Sequence, residues 1–175
     1  MSGRIVLLCG RSFSGKSTVA RELRTSFDGT VVSFDEINSE RGLHGGQGIP
    51  VADWARTHEI ARERVTTELA KDRTVIIDDT SSPRFLRDGW RRLSADLGAP
   101  LVLVFIDASP ETIVRRQAAN RSNGERDDVI DSVMAEHLDA FEPPTEDEDA
   151  LCFTAENLSM PEIVAAVKDA QSSAR

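Results

Sequence analysis

The amino-acid sequence predicts an α/β fold, namely a five-stranded, mostly parallel sheet with helices on both faces. Short apolar runs, several rich in valine and isoleucine, alternate with segments whose apolar residues recur at helical spacing, and this alternation is typical of such a sheet. The chain has 175 residues and shows no internal repeat. Because this length suits one core large enough to fold alone, we expect a single domain over residues 1–175.

The predicted strands are short apolar runs of the kind found in a sheet that is buried on both faces. They cover residues 4–9, 31–34, 74–78, 101–106 and 150–154. Both cysteines, Cys9 and Cys152, fall inside these runs, so we expect two buried thiols rather than a disulfide or a reactive thiol. Two cysteines are also too few for a zinc site.

Helical periodicity predicts six helices between and after the strands. They cover 16–27, about 51–70, a segment from Pro83 to Gly98, a segment from Pro110, about 127–141, and about 161–171. Ser82 and Ser109 each precede a proline, which is the pattern of an N-cap followed by the first helical residue. Gly98 is expected to end the third helix, and Pro143-Pro144 to stop the fifth.

The apolar faces of the second, third and fourth helices are expected to be buried. They carry Trp54, Ala61, Val65 and Leu69, then Phe85, Leu86, Trp90, Leu93 and Leu97, then Ile113, Val114 and Ala118. His58 lies near the face of the second helix and is expected to be partly buried or at the surface. Two stretches lack periodicity. Residues 38–50 are rich in glycine and predict a flexible loop, whereas residues 119–127 are polar and bear arginines.

Between the first strand and the first helix, residues 10–17 read GRSFSGKS, the phosphate-binding P-loop pattern. Its glycines let backbone N–H groups point at phosphate oxygens, Lys16 can reach the β- and γ-phosphates, and the Ser17 hydroxyl can bind Mg²⁺. The candidate nucleotide-binding residues are Gly10, Ser12, Ser14, Gly15, Lys16, Ser17 and Thr18. The motif lies between a predicted strand and a predicted helix, which is the context that it needs. We therefore predict a P-loop NTPase fold that binds ATP or GTP with Mg²⁺.

Acidic residues follow three of the predicted strands, at the sheet edge where ligands bind in parallel α/β folds. Asp79 or Asp78 is the candidate for Mg²⁺, and Asp79 is preferred because Asp78 continues the strand. Asp35 is the candidate general base that accepts the proton of a substrate hydroxyl. Its alternative role is that of N-cap for a segment starting at Glu36. Asp107 is expected to orient the turn that follows it.

Arginines concentrate in residues 115–128, which predicts a lid over the phosphates. They are Arg115, Arg116, Arg121 and Arg126. A guanidinium that closes over the transferred group stabilises its charge, and closure excludes water as a competing acceptor. Arg116 and Arg121 are the preferred catalytic candidates, and a solvated basic helix face is the alternative.

The net charge and the hydropathy of the chain argue against a broad nucleic-acid surface, a membrane span and a signal peptide. The net charge of −9 disfavours a broad nucleic-acid surface, and the acidic run at 146–149 is expected to be a solvated loop. No apolar run is long enough to cross a membrane, and the N-terminal stretch lacks a signal-peptide cleavage site. We therefore expect a cytoplasmic protein without a membrane partner.

The order of these motifs resembles the small P-loop kinases, an AAA-type family of "predicted kinases". The family includes polynucleotide 5′-hydroxyl kinase modules, chloramphenicol phosphotransferase-like enzymes and zeta-toxin-like kinases. The pieces that carry the resemblance are residues 10–18, 33–37, 75–80, 105–108 and 141–144, and Arg115-Arg116 with Arg121. They span nearly the whole chain, although only the first is specific by itself.

The resemblance implies a role for each matching residue. Lys16 and Ser17 would bind the nucleotide phosphates and Mg²⁺. Asp35 would be the general base, and Asp79 would support the metal or the acceptor. Arg116 or Arg121 would be the lid arginine. Polynucleotide kinases carry an arginine three residues after the base, where this chain has Asn38; the next arginine is Arg41.

That departure, together with the net charge of −9, favours a small acceptor such as a natural product, sugar or nucleoside over a polynucleotide. We therefore expect a kinase that moves the γ-phosphate of ATP or GTP to a hydroxyl group. The alternatives are a polynucleotide 5′-hydroxyl kinase and, from another class, a nucleotide-binding switch or slow ATPase without an acceptor. The candidate acceptor-binding residues are Asp35, Asn38, Arg41, His44 and Asp79.

Overall fold

The computed structural model describes residues 3–43, 49–124 and 131–173, with the backbone alone for 171–173. Within these residues the strands are β1 Arg4–Cys9, β2 Thr30–Ser33, β3 Thr74–Asp78, β4 Leu101–Asp107 and β5 Leu151–Thr154. The helices are α1 Lys16–Phe27, α2 Phe34–Glu40, α3 Val51–Leu69, α4 Arg84–Leu97, α5 Pro110–Asn123, α6 Asp131–Asp139 and α7 Met160–Ser173. Short 3₁₀ turns cover Glu146–Glu148 and Ala155–Asn157. No helix in the described ranges is both long and apolar enough to span a bilayer.

The five strands form one parallel sheet in the order β2-β3-β1-β4-β5. β1 lies at the centre, with Val6 opposite Ile76 of β3 and Leu8 opposite Val104 of β4. Every strand lies within one residue of its predicted bounds. This sheet confirms the predicted α/β class and the P-loop NTPase fold.

Two apolar cores cover the two faces of the sheet, because successive strand residues point to opposite sides. On one face, Val6 and Leu8 of β1 pack in a core that includes residues of α1, α5, α6 and α7. On the other, Ile5 and Leu7 pack in a core that includes residues of α2, α3 and α4. The sheet is therefore covered by helices on both faces, as predicted.

Helix α2 corrects the predicted loop at 38–50, because the helix runs on to Glu40 before the chain turns at Gly42, which has a φ of 73°. Ser33 caps this helix, since its hydroxyl oxygen accepts the Glu36 N–H at 3.3 Å. Asp35 is therefore not the N-cap and lies in the first turn of α2.

Helix α4 begins differently from the prediction. It starts at Arg84, and Pro83 precedes it. The Arg84 N–H donates to Glu142 Oε2 at 2.8 Å, while Ser82 Oγ accepts the Glu142 N–H at 2.9 Å. The carboxylate that caps the start of α4 thus belongs to a residue 58 positions later in the chain. No local capping pattern reveals such a partner.

The buried faces of three helices differ in part from their apolar patterns. Phe85 of α4 is 65% exposed, and Arg87 is buried instead. In α5, Val114 and Ala118 are exposed, whereas Thr112, Gln117 and Asn120 are buried with Ile113. In α3, Trp54 is half-buried and Thr57 is buried, while His58 is half-buried as predicted. Cys152 is exposed because β5 lies at the edge of the sheet, so the prediction of two buried thiols holds for Cys9 alone.

The remaining helix predictions agree with the structure. α1 has the predicted bounds, and α7 extends the predicted 161–171 by a residue or two at each end. Ser109 caps α5, because its Oγ accepts the Thr112 N–H at 3.2 Å. The described part of the predicted 127–141 helix is α6; residues 127–130 of that helix, Arg126 of the predicted lid, and His44 lie outside the described residues.

Candidate active site

The P-loop follows the central strand, and the two candidate acids follow the next two strands on one side of it. β3 neighbours β1, and β2 neighbours β3, with Ser33 opposite Asp78 at the strand ends. Asp79 and Asp35 therefore leave the same edge of the sheet as the P-loop. The Gly10 N–H also donates to the Thr80 carbonyl at 3.2 Å, which ties the start of the loop to the segment after β3.

The P-loop backbone depends on glycine at its two ends. Gly10 has a φ of 153°, and a side chain there would come within 2.5 Å of the Ile106 carbonyl oxygen. Gly15 has a φ of 106°. Both positions are unfavourable for a residue that carries a Cβ. Glycine at these two positions therefore permits the backbone conformation that the loop adopts.

Lys16 extends across this loop. Its Nζ donates to the carbonyl oxygens of Gly10 and Arg11, both at 2.8 Å, and the residue is 7% exposed. The ammonium is therefore held at the loop by its backbone. A phosphate group within the loop would meet a pre-positioned positive charge, which is the arrangement that stabilises developing negative charge most effectively.

Several features of the loop fit a phosphate group. Ser14 Oγ is buried, and it has no hydrogen-bond partner within the described structure. Gly15, at the N-cap position of α1, provides no side-chain cap, and the first turn of α1 contains no acidic residue. The amides at the start of α1 thus face no capping carboxylate, and a helix N-terminus of this kind attracts anions. The half-buried Ser17 side chain lies in this first turn.

Asp79 is held in place by the residue two positions later. Its Oδ2 accepts the Ser81 N–H at 2.9 Å and lies 3.4 Å from the Ser81 hydroxyl. Ser81 is fully buried with a φ of 50°, a left-handed conformation that is uncommon for residues other than glycine. Asp78 ends β3, as the sequence predicted.

A buried ion pair lies behind Ser81, and the sequence did not reveal it. Arg87 donates from Nε and Nη2 to the two carboxylate oxygens of Glu148, at 2.8 and 2.7 Å. The side chains are 1% and 0% exposed. Arg87 Nη1 also donates to the carbonyls of Ser81 and Glu142, each at 2.9 Å. The acidic run at 146–149 is therefore not simply a solvated loop, since Glu148 is a buried partner of Arg87.

The electrostatics of this pair follow from its geometry. The hydrogen bonds from Arg87 lower the pKa of Glu148 to about 2, so the carboxylate stays charged at neutral pH. Burial raises the pKa of the nearby Cys9 thiol to about 12. One feature of the sequence could have indicated this ion pair. Arg87 stands three residues before Trp90 on the buried face of α4, and a buried arginine requires an acidic partner.

Asn38 and Arg41, two of the candidate acceptor-binding residues, join α2 to α3 in this structure. Asn38 Oδ1 accepts a hydrogen bond from Thr57 Oγ1 at 2.6 Å, and Arg41 Nη1 donates to the same hydroxyl at 2.7 Å. Arg41 Nη2 also pairs with Asp53 Oδ1 at 2.8 Å. These bonds occupy both side chains between the two helices.

His58 lies on α3 beside the acidic residues of this edge. Its ring meets Phe34 edge-on, with the centroids 4.7 Å apart. Burial lowers the pKa of His58 from its usual 6.5, against the opposing charge of Asp79. The imidazole is therefore neutral at pH 7. Phe34 immediately precedes Asp35, so His58 contacts the residue next to the candidate general base in the chain.

The two preferred lid arginines occupy different environments. Arg116 Nη1 donates to the backbone carbonyls of Phe13 and Ser14, at 3.0 and 2.7 Å, and Nη2 donates to Ala155 at 3.1 Å. Arg121 instead pairs with Asp131 at 2.6 Å on the surface. The structure thus brings Arg116 to the P-loop, where it supports the backbone, and leaves Arg121 at the far end of α5.

Arg11 and Asp107 form a second contact at the loop. Arg11 Nη1 lies 3.5 Å from Asp107 Oδ1, and its guanidinium lies over the Phe141 ring at 4.9 Å from the centroid. The turn before α5 is held by Ser109, whose N–H donates to Glu156 Oε1 at 3.1 Å. Asp107 therefore contacts the P-loop arginine, and Glu156 binds the turn that Asp107 was expected to orient.

A parallel sheet whose central strand feeds a P-loop, with candidate acids after the next two strands on one side of it, defines a protein of the P-loop kinase class. The family model described as an AAA domain matches residues 5–144, and the chain belongs to this family. It is a small P-loop kinase, and its relatives by sequence are kinases as well.

Two of these relatives are about equally distant. Adenylate kinase isoenzyme 1 of Sus scrofa is 23% identical over 151 residues, which cover 82% of this chain and 77% of the relative. A protein named probable gluconokinase of Schizosaccharomyces pombe is 24% identical over 160 residues, 87% of this chain and 80% of the relative. Their names indicate different acceptors, so sequence similarity identifies nucleotide-dependent phosphotransfer and leaves the acceptor undetermined.

Solved structures support the same fold. Kti12 of Chaetomium thermophilum, in complex with ADP-AlF3, superposes with a TM-score of 0.77 at 13% identity, covering 94% of this chain and 97% of its own. The APS kinase CysC of Mycobacterium tuberculosis, in complex with AMPPNP and APS, superposes with a TM-score of 0.69 at 23% identity, covering 95% and 96%. At these identities the likeness supports the fold alone.

Proposed function

We propose that this kinase transfers the γ-phosphate of ATP or GTP to a hydroxyl group of a small, uncharged acceptor such as a sugar, a nucleoside or a natural product. The placement of Asp79 after β3, which pairs with the P-loop strand, and of Asp35 after β2, which pairs with β3, carries this proposal. It puts a proton acceptor and a metal-supporting carboxylate on the same edge of the sheet as Lys16.

In the proposed reaction, the acceptor oxygen bonds to the γ-phosphorus while the bond to the β–γ bridging oxygen breaks. Asp35 takes the proton of the acceptor hydroxyl. Lys16 and the amides of the P-loop stabilise the negative charge that passes to the β-phosphate of the leaving nucleotide. When bound, Mg²⁺ neutralises phosphate charge, and Ser17 with Asp79 would hold it. Arg121 is the candidate that reaches over the transferred group when the lid closes.

The surroundings of Asp35 favour an uncharged acceptor over the 5′ end of a polynucleotide. Asn38 stands where a phosphate-binding arginine would be needed, and its side chain is buried against Thr57. Arg41, the next arginine, is paired with Asp53. His58 adds a neutral imidazole beside Phe34. Because Arg41 is already paired and the imidazole is neutral, neither side chain offers a free positive charge to an anionic acceptor.

The test is a transfer assay with γ-labelled ATP or GTP over a panel of sugars, nucleosides, natural products and 5′-hydroxyl oligonucleotides. For the acceptor that is found, Asp35→Asn is expected to lower the turnover rate by about 10²- to 10⁴-fold, the range for loss of a general base. Glu36→Gln is the matched control, because Glu36 is the next residue in the same acidic first turn of α2. It is expected to retain the wild-type rate.

Three results would contradict the proposal. Full transfer by Asp35→Asn would exclude Asp35 as the base. Nucleotide hydrolysis that no hydroxyl compound accelerates, and that Asp35→Asn leaves unchanged, would favour a switch or slow ATPase. Preference for oligonucleotides within the panel would identify a polynucleotide 5′-hydroxyl kinase instead of a small-molecule kinase.

A further inference from the structure

We propose that the buried Arg87–Glu148 pair positions Asp79 for Mg²⁺ by holding Ser81. Arg87 and Ser81 are thus positioning residues of the active site, although neither is placed at the nucleotide. The inference rests on the proposed role of Asp79 in metal binding. It assigns a function to a pair that otherwise serves only to join α4 to the segment before β5.

The first step is the dependence of Asp79 on Ser81. Ser81 provides two donors to Asp79 Oδ2, its N–H at 2.9 Å and its hydroxyl at 3.4 Å. A rotation of the Ser81 backbone would move the N–H away from the carboxylate. The orientation of Asp79 therefore depends on the unusual backbone conformation of Ser81, whose φ is 50°.

The second step is what holds Ser81 in that conformation. A left-handed backbone in a residue with a side chain persists only where its surroundings enforce it. The Ser81 carbonyl oxygen accepts from Arg87 Nη1 at 2.9 Å and lies 3.8 Å from the Cys9 sulfur. The guanidinium bond is the stronger of the two, because its donor is charged and a thiol is a weak donor.

The third step is the rigidity of Arg87 itself. Its planar fork makes two parallel bonds to Glu148, and it also donates to the Glu142 carbonyl at 2.9 Å. Bidentate pairing fixes the plane of a guanidinium, which a lysine ammonium cannot reproduce. Glu148 is held in turn by the Thr145 N–H at 3.1 Å and by Arg91 at 2.9 Å. The direction in which Nη1 points is therefore set by the bidentate pairing of Arg87 with Glu148.

The double variant Arg87→Met/Glu148→Gln tests this coupling, because it removes both charges together and leaves neither buried without its partner. Arg91→Met is the matched control. Arg91 contacts the same glutamate and Asp88, but it stands outside the link from Arg87 to Ser81. Asp79→Asn is the reference variant, and thermal unfolding establishes that each protein is folded at the temperature of the assay.

The measurement is the affinity for a non-hydrolysable analogue of the donor nucleotide, by calorimetry, in Mg²⁺ and in EDTA. The ratio of the two affinities isolates the contribution of the metal. The double variant is expected to lose about tenfold of the Mg²⁺-dependent gain, the lower end of the range for groups that orient a metal ligand. Its affinity in EDTA, and both affinities of Arg91→Met, are expected to match the wild type.

The outcomes separate this inference from the proposed function. If Asp79→Asn loses the Mg²⁺-dependent gain while the folded double variant keeps it, the coupling through Ser81 is wrong and the role of Asp79 stands. If Asp79→Asn keeps the gain, the metal role of Asp79 is wrong and the inference falls with it. A parallel loss in Mg²⁺ and in EDTA would also overturn the inference, because it would indicate general damage.

If the double variant does not fold, Ser81→Gly tests the coupling through Ser81 instead. Glycine adopts the left-handed backbone readily, so the fold is expected to tolerate it. It also frees the backbone to leave that conformation and removes the hydroxyl bonded to Asp79. The Mg²⁺-dependent gain is expected to fall in this variant too, and an unchanged gain would contradict the coupling.

Discussion

Arg116 Nη1 lies 2.7 Å from the carbonyl oxygen of Ser14, so that a side chain from helix α5 supports the P-loop backbone from outside. The same atom donates to Phe13 at 3.0 Å. The residue was expected to be a lid arginine, and its contacts indicate that α5 also stabilises the loop that receives the phosphates.

Arg116→Ala is expected to weaken nucleotide binding by about tenfold or more. Loss of a hydrogen bond from a charged donor costs about 1.5–3 kcal/mol, and 1.4 kcal/mol corresponds to a factor of ten. The measurement is nucleotide affinity by calorimetry. Arg115→Ala is the control, because Arg115 is exposed and donates to Thr112 of its own helix. Equal affinities of the two variants would contradict a supporting role for Arg116.

Arg121→Ala is expected to lower the rate of phosphate transfer and to leave nucleotide affinity unchanged. In the structure Arg121 pairs with Asp131, and their side chains are 39% and 80% exposed. An exposed pair of this kind stabilises a fold by only about 0–1 kcal/mol, so exchanging Asp131 for the transferred group would cost little from this pair. Single-turnover kinetics measure the effect. A wild-type rate in this variant would exclude Arg121 as the lid arginine.

Glu148→Gln is expected to destabilise the fold by about 3–5 kcal/mol at pH 7, since it leaves the buried Arg87 without its charged partner. Glu146→Gln, an exposed neighbour in the same turn, is expected to change stability by less than about 0.5 kcal/mol. Chemical unfolding measures both free energies. A small effect of Glu148→Gln would mean that the cluster reorganises around the amide.

The same pair predicts how stability depends on acid. The pKa of Glu148 falls from 4.5 to about 2 on folding, so the unfolded chain binds the proton more readily. Its stabilising contribution is therefore complete above pH 4.5 and is lost as the pH falls toward 2. Unfolding free energies between these two pH values should decline less steeply in Glu148→Gln than in the wild type. Identical slopes would contradict the assignment.

Thiol reactivity distinguishes the two cysteines. Cys9 is fully buried and its pKa is raised to about 12, whereas Cys152 is exposed on the edge strand. A thiol reagent at pH 8 is expected to react with one cysteine in the folded protein and with both in denaturant. Cys152→Ser should abolish the native reaction. Reaction of Cys9 in the folded Cys152→Ser protein would show that the P-loop strand opens.

Local pattern was sufficient for the strands and most helices, because each buried strand is a continuous apolar run and each helix carries a regular apolar face. It also predicted the Ser109 cap, which depends on residues three positions apart. It missed the start of α4, since the capping carboxylate belongs to Glu142. It missed α2 because the prediction continued the glycine-rich loop back to residue 38. Ser33 and Glu36 nevertheless carry a local cap there.

The sequence by itself determined the phosphate-binding loop, the order of the strands along the chain and the acids that follow them, because each rests on residues close together in the chain. The tertiary structure alone decided what those residues contact. It paired Arg87 with Glu148 across 61 positions and brought Arg116 to Ser14 across 102. Side chains so distant in the chain meet only when helices pack on the sheet, and no local periodicity records which of them will do so.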